Sequence, residues 1–264
     1  MQLVSQISAI EELTQLASQN KHSILIEGSA GCGKSYLANM YADLLHIADI
    51  AVQYIAPNVN AIKDAVDACI TIQTPVLLCI ENLDTGVPAA AYTILKFLEE
   101  PTEHVYIIVT CRNIKHVPDT IISRSAVVNV APPIRSDLLS YAKLRDAQRV
   151  TRLMSTKVWR CASTFSDIDY VMSLSDAQVD YFENSYTTHI KFSDSVSNLS
   201  WSLTHFADNS EIPAEFAIRF LLSTSYNEVV KSACIQALKD LTSARIGTHA
   251  VICKLLFECK YGGG

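Results

Sequence analysis

Eight consecutive residues, Gly28-Ser29-Ala30-Gly31-Cys32-Gly33-Lys34-Ser35, carry the clearest chemistry in the chain. They fit the spacing G-x-x-x-x-G-K-S/T, which needs a strand before it and a helix after it. The glycines let the backbone turn sharply and aim N–H groups at phosphate oxygens. Lys34 supplies a mobile positive charge to the β- and γ-phosphates of a nucleotide, and the Ser35 hydroxyl is a hard ligand for Mg2+. The flanks have the required character. Ser23-Ile24-Leu25-Ile26-Glu27 is a short β-branched run, and Tyr36 to Leu45 places apolar residues at helical spacing. The helix beginning near Lys34 adds the positive end of its dipole.

Such a loop needs a second site at the end of another buried strand, where a carboxylate holds Mg2+ and a neighbouring Glu orients water. Val76-Leu77-Leu78-Cys79-Ile80-Glu81-Asn82-Leu83-Asp84 is the good candidate. Glu81 offers the metal ligand, but the next residue is Asn82, which can hold a water and cannot take its proton. Nucleotide binding is therefore expected, with hydrolysis in question. The alternative is that Glu81 and Asp84 only cap the following helix.

These loops require a parallel sheet with crossover helices, and the first half of the chain has that texture. Strands are expected at 51–55, 76–80, 105–110 and 126–130, besides the one before the glycine loop. Helices are expected at 62–72 and at 89–98, the latter stopped by Pro101. Pro132-Pro133 marks a boundary, after which helical spacing persists: 134–153, 167–174, 216–222, 228–241 and 248–261. The Ser/Thr/Asn-rich stretch 182–210 gives no clear element.

Composition narrows the class. The 264 residues are 49% hydrophobic and 18% charged, enough apolar surface for a large core, and a net charge of −6 argues against gripping nucleic acid through bulk charge alone. No apolar run approaches the roughly 20 residues of a membrane span. Eight cysteines without a C-x-x-C pair argue against zinc and for reduced, buried thiols, and no signal sequence is visible, so a cytoplasmic location is expected.

Two further segments carry a family resemblance. Thr93-Ile94-Leu95-Lys96-Phe97-Leu98-Glu99-Glu100-Pro101 and Thr120-Ile121-Ile122-Ser123-Arg124-Ser125 resemble the "LLKTLEEPP" and "TILSRC" segments of the clamp-loader branch of AAA+ ATPases. That branch includes the polymerase III gamma and delta-prime subunits, the replication factor C small subunits and phage counterparts. Ile80-Glu81-Asn82-Leu83-Asp84 then resembles the family's I-D-E-A-D box, with Glu81 for the first Asp and Asn82 for the catalytic Glu. The resemblance covers about residues 20 to 133. It implies that Arg124 is an arginine finger acting on a neighbouring subunit's γ-phosphate, a lone Arg in a surface salt bridge being the alternative. It places the strand-end sensor on Thr110 or Cys111. It implies ATP and Mg2+ as cofactors, with Gly28 to Ser35 binding ATP and Ser35 and Glu81 the metal.

Three departures shape the expectation. The four-cysteine zinc module of the gamma and delta-prime subunits is absent. The lid's "G-S-x-R-D" arginine falls on Ser166, within Ser163-Thr164-Phe165-Ser166-Asp167, and Asn82 replaces the catalytic Glu. The implied architecture is an α/β P-loop AAA+ core at 1–133, a helical lid at 134–185 and a helical collar at 186–264 that holds an oligomer together. The implied role is a delta-prime-like subunit of a hetero-oligomeric sliding-clamp loader, of cellular or phage origin. Its partners would be sibling subunits, the clamp and, through the assembly, primer–template DNA, with no membrane. A catalytically active motor subunit, a non-hydrolysing scaffold, and a helicase loader or another AAA+ DNA protein are the alternatives. Residues 135–160 hold seven basic residues (Arg135, Lys143, Arg145, Arg149, Arg152, Lys157, Arg160) against Asp137 and Asp146. They are read either as a solvated lid face or as contacts to a neighbour's nucleotide or to DNA.

Overall fold

The computed structural model describes residues 4–71, 74–100, 102–184, 186, 203–205, 210–225, 227–242 and 248–261. The chain divides into two compact units, 1–137 and 138–264, the division falling in the first turn of a helix. Pro101 and most of the stretch 182–210 lie outside the described residues.

The first unit runs α1 (Ile7–Ser18), β1 (Ser23–Gly28), α2 (Lys34–Leu44), β2 (Ala51–Ile55), α3 (Val59–Thr71), β3 (Val76–Ile80), α4 (Pro88–Thr93), α5 (Leu95–Glu99), β4 (Val105–Cys111), α6 (Asp119–Ile122) and β5 (Ala126–Val130). Its five strands form one sheet in the order β2-β3-β4-β1-β5, and every pairing is parallel. Parallel strands need crossover connections, which is why a helix stands between consecutive strands. The central strands β3 and β4 are buried along their whole length. Alternate side chains divide between the two faces. Leu25, Leu78, Ile80, Ile107 and Val109 pack with Ile62, Ile94, Leu98 and Ile121 on one side. Ile24, Ile26, Leu77, Cys79 and Ile108 pack with Leu13, Leu37 and Tyr41 on the other.

Strand bounds at 51–55, 76–80 and 126–130 are those the sequence predicts, and β4 extends one residue further, to Cys111. The single helix expected at 89–98 is two short ones, α4 and α5, interrupted at Ile94. The amphipathic α1, with Leu13 fully buried, is an element the reading of the sequence passed over.

The second unit is helical: the rest of α7 (Arg135–Leu153), then α8 (Lys157–Cys161), α9 (Phe165–Ser173), α10 (Asp176–Asn184), α11 (Ala214–Thr224), α12 (Glu228–Thr242) and α13 (Thr248–Tyr261). Helix α7 breaks at Asp146, whose backbone is extended (φ −159°, ψ 100°) and whose carboxylate accepts from the Arg149 N–H at 2.9 Å, so that Asp146 caps the restarted helix. Phe182, Tyr186, Phe216 and Phe220 stack edge to face or tilted, with ring centroids 4.9–5.8 Å apart. Asp167 is 5% exposed and closes a capping box with Thr164 at the start of α9 while its other oxygen accepts from Arg219 of α11. The segments expected as lid and collar thus share one compact unit.

Candidate functional site

The glycine loop leaves β1 at the carboxyl edge of the sheet, between β4 and β5, the edge at which open parallel sheets take ligands. Gly31 (φ 66°) and Gly33 (φ 98°) hold the left-handed backbone that only glycine takes without strain. A Cβ on Gly28 would meet the Cys32 sulfur at 2.7 Å, so this glycine is demanded by close approach. Gly33 precedes the first residue of α2, which puts the loop at a helix N-terminus. Lys34 is 7% exposed, and its ammonium donates to the carbonyls of Gly28 (2.7 Å) and Ser29 (2.9 Å). Burial pulls the Lys34 pKa below the ordinary lysine range, and the Arg112 guanidinium adds to that, while Cys32 and Asp84 oppose it. A polyanion is the ligand that would relieve such a charge.

Strand β3 delivers Glu81 beside this loop. The Ser35 hydroxyl donates to Glu81 Oε1 at 2.8 Å, and the Tyr54 hydroxyl donates to the Ser35 carbonyl at 3.0 Å. A hydroxyl and a carboxylate side by side are the hard oxygen set that suits Mg2+. The loop geometry and this pair together fit a nucleotide with its metal.

Asn82 follows in the left-handed region (φ 48°, ψ 52°), and its N–H donates to the Thr110 hydroxyl at 2.9 Å. Thr110 is thus the strand-end residue that meets Asn82, across the β3–β4 pairing that sets Ile80 against Val109. Cys111 is fully buried, and burial with the nearby Asp84 pushes its thiol up to about 12. Asp84 Oδ2 accepts from the N–H groups of Arg112 and Asn113, both at 3.0 Å, and Glu27 Oε1 accepts from Ile114 N–H at 2.8 Å. Asp84 and Glu27 thus fix the loop after β4, a role that spacing alone did not reveal.

Arg124 stands just after α6, far from the glycine loop in sequence. Its guanidinium pairs with Glu99 at 2.8 Å and donates to the Thr120 carbonyl at 3.0 Å. The two segments that carried the family resemblance are thereby tied to each other. The pair is half-exposed, which leaves Arg124 able to exchange partners.

Three residues of the basic stretch 135–160 are engaged within the second unit. Arg145 pairs with Asp169 at 3.0 Å and lies over the Tyr141 ring. Arg149 donates to the carbonyls of Met172 and Leu174 at the end of α9 and pairs with Asp176. Lys157 donates to the Glu183 carbonyl at 2.6 Å. Lys143, Arg152 and Arg160 are exposed. Ser166, where the lid arginine was expected, is an exposed residue in the first turn of α9.

A parallel sheet in this order, with a glycine loop after its first strand and helices on both faces, is the α/β arrangement of the AAA+ fold. Residues 56–133 match the family model "DNA polymerase III, delta subunit". The fold is similar over 94% of this chain to a DNA polymerase III gamma subunit-related protein from Thermotoga maritima, at 14% identity, 97% of that chain and a TM-score of 0.52. It is similar over 95% of this chain to the Thermotoga maritima Holliday junction branch migration motor RuvB, at 12% identity, 81% of that chain and a TM-score of 0.50. No curated protein matches the sequence. The two structural neighbours share the fold over nearly the whole chain, and the family match falls on the segment from the end of β2 to Pro133. Among the described residues no helix is long and apolar enough to cross a membrane.

Proposed function

We propose that this chain is an ATP-binding subunit of a sliding-clamp loader, with Mg2+ as cofactor, and delta-prime-like in hydrolysing little or no ATP itself and in lending an arginine finger to a neighbour. In this reading Lys34 and the loop N–H groups hold the phosphates, and Ser35 and Glu81 hold the metal. Arg124 acts on the ATP of an adjacent subunit in a hetero-oligomeric ring, and hydrolysis in sibling subunits releases the clamp on DNA. The core, lid and collar divisions at 1–133, 134–185 and 186–264 belong to the same proposal.

The observation that carries it is the pairing of Ser35 with Glu81 beside an Asn82 whose backbone is held by Thr110. The groups for phosphate and metal are assembled, whereas the residue that should activate water has no base. An active motor subunit would need Glu81 or Asp84 in that role. Glu81 is committed to Ser35, and Asp84 to two backbone N–H groups, which disfavours both.

The test is equilibrium binding of a fluorescent ATP analogue to the purified chain and to Lys34→Ala. Loss of the buried ammonium should weaken binding between about tenfold and a hundredfold. Equal affinity of the two proteins, or none in either, would overturn the nucleotide reading.

A further inference from the structure

Gln6 stands one residue before α1, at the position where a helix usually places Ser, Thr, Asp or Asn to cap its own first turn. Its side chain makes no such cap. It reaches instead across the fold, and its Nε2 donates to the Cys32 carbonyl inside the glycine loop. Gln6 is 0% exposed, and its Oε1 is buried with no hydrogen-bond partner. A buried, unpaired carboxamide oxygen costs free energy that an apolar side chain of the same shape would avoid. The carboxamide is therefore best explained by what its other end does.

That other end fixes one peptide plane. The Cys32 carbonyl and the Gly33 N–H belong to the same planar trans peptide and point in opposite directions. Holding the Cys32 oxygen toward Gln6 aims the Gly33 N–H to the far side of the loop backbone. Gly33 has φ 98°, and a glycine freely adopts several such orientations, so an external tether is what selects one. The tether is itself anchored. Ser5 donates from its backbone N–H, at 2.9 Å, and from its hydroxyl to Asp137 Oδ2, and Asp137 is 2% exposed in the first turn of α7. Ser5 and Gln6 thus form a strap from the root of α7 to the phosphate loop.

We infer that Gln6 is a positioning residue for phosphate binding, presetting the Gly33 N–H as a donor to a nucleotide phosphate. The inference rests on the nucleotide reading of the loop and adds to it a residue outside the motif. It is tested on the full chain with Gln6→Met, which keeps the length of the side chain and removes its donor, and with Gln6→Leu, which also lacks a donor. Binding of a fluorescent ATP analogue should weaken about tenfold in both, as expected for one lost hydrogen bond in a preorganised loop. The melting temperature without nucleotide should be essentially unchanged in at least one of them. The Gly33 amide resonance, which should shift when nucleotide is added to the unaltered chain, should move less at saturation in the variants. A merely structural Gln6 would lower the melting temperature and leave affinity and the Gly33 shift as they were, and that result overturns the inference while the nucleotide reading stands. If the unaltered chain and Lys34→Ala alike bind nothing, the reading falls and the inference with it.

Discussion

The Ser35 hydroxyl meets Glu81 Oε1 at 2.8 Å, joining the last residue of the glycine loop to the first residue after β3. Two distant sequence segments are brought into contact because β1 and β3 both end at the same edge of the sheet, with β4 between them. In the proposed reading the next residue along, Asn82, has a carboxamide where proton transfer would need a carboxylate.

Replacing Asn82 with Glu should restore a base at the water-orienting position. General-base catalysis contributes on the order of 10²–10⁴-fold to rate, so turnover in a reconstituted ring should rise well beyond the uncertainty of a phosphate-release assay. The same substitution should leave ATP affinity nearly unchanged, because the Asn82 contact to Thr110 is made by its backbone. Unchanged turnover would mean that the site lacks more than this carboxylate.

Arg124 and Glu99 form a half-exposed surface pair, and such pairs contribute only about 0–1 kcal/mol. Glu99→Gln should therefore barely alter thermal stability. Arg124→Ala should depress DNA-stimulated ATPase at the neighbouring subunit in a reconstituted loader and leave ATP affinity of this chain intact. Equal turnover with and without the arginine would remove the finger role and leave Arg124 as the partner of Glu99.

In the second unit Asp167 accepts from Ser163, Thr164 and Arg219 and is nearly buried. Removing one partner of a buried, hydrogen-bonded ion pair typically costs about 3–5 kcal/mol. Asp167→Ala should show that loss in urea denaturation, and Arg219→Met should cost less, because its methylenes keep part of the packing. A loss below about 1 kcal/mol for Asp167→Ala would contradict the arrangement at the start of α9.

Burial pushes the thiols of Cys79, Cys111 and Cys234 up to about 12, with nearby Glu81, Asp84 and Cys259 respectively adding to it. The thiolate is the reactive form, and a raised pKa keeps these groups protonated until the pH climbs towards that value. At pH 8 an alkylating reagent should label the half-buried Cys253 and spare those three until the chain unfolds. Mass spectrometry of the labelled peptides reads the result, and early modification of Cys79 or Cys111 would contradict the buried sheet core.

Much of the first unit was legible because a parallel sheet buries its strands on both faces and writes them as unbroken apolar runs. The loop at Gly28–Ser35 and the box at Glu81 were legible because each role demands one residue type at one spacing. Gln6, Glu27 and Asp84 were not, because each acts on backbone groups 26 to 87 residues away and nothing in the local pattern marks a long-range acceptor or donor. Glu99 was visible as part of a motif, but its pairing with Arg124 depends on how α5 and α6 pack. Within α7 the charge count left a solvated face and a binding face both open, and it could not show that Arg145 and Arg149 meet acidic groups and carbonyls from α9 and its end. The break at Asp146 was hidden because the apolar spacing continues through it and only the Asp carboxylate, capping Arg149, marks the restart.

The central claim is that this chain holds ATP without turning it over, and the most direct measurement is the fate of bound nucleotide. Purified chain is mixed with a stoichiometric amount of radiolabelled ATP and Mg2+, passed through a desalting column, and the nucleotide in the protein fraction is identified over time. The account predicts ATP that elutes with the protein, persists as ATP over many minutes, and is absent with Lys34→Ala. Rapid appearance of ADP in the protein fraction, or no nucleotide retained by the unaltered chain, would contradict it.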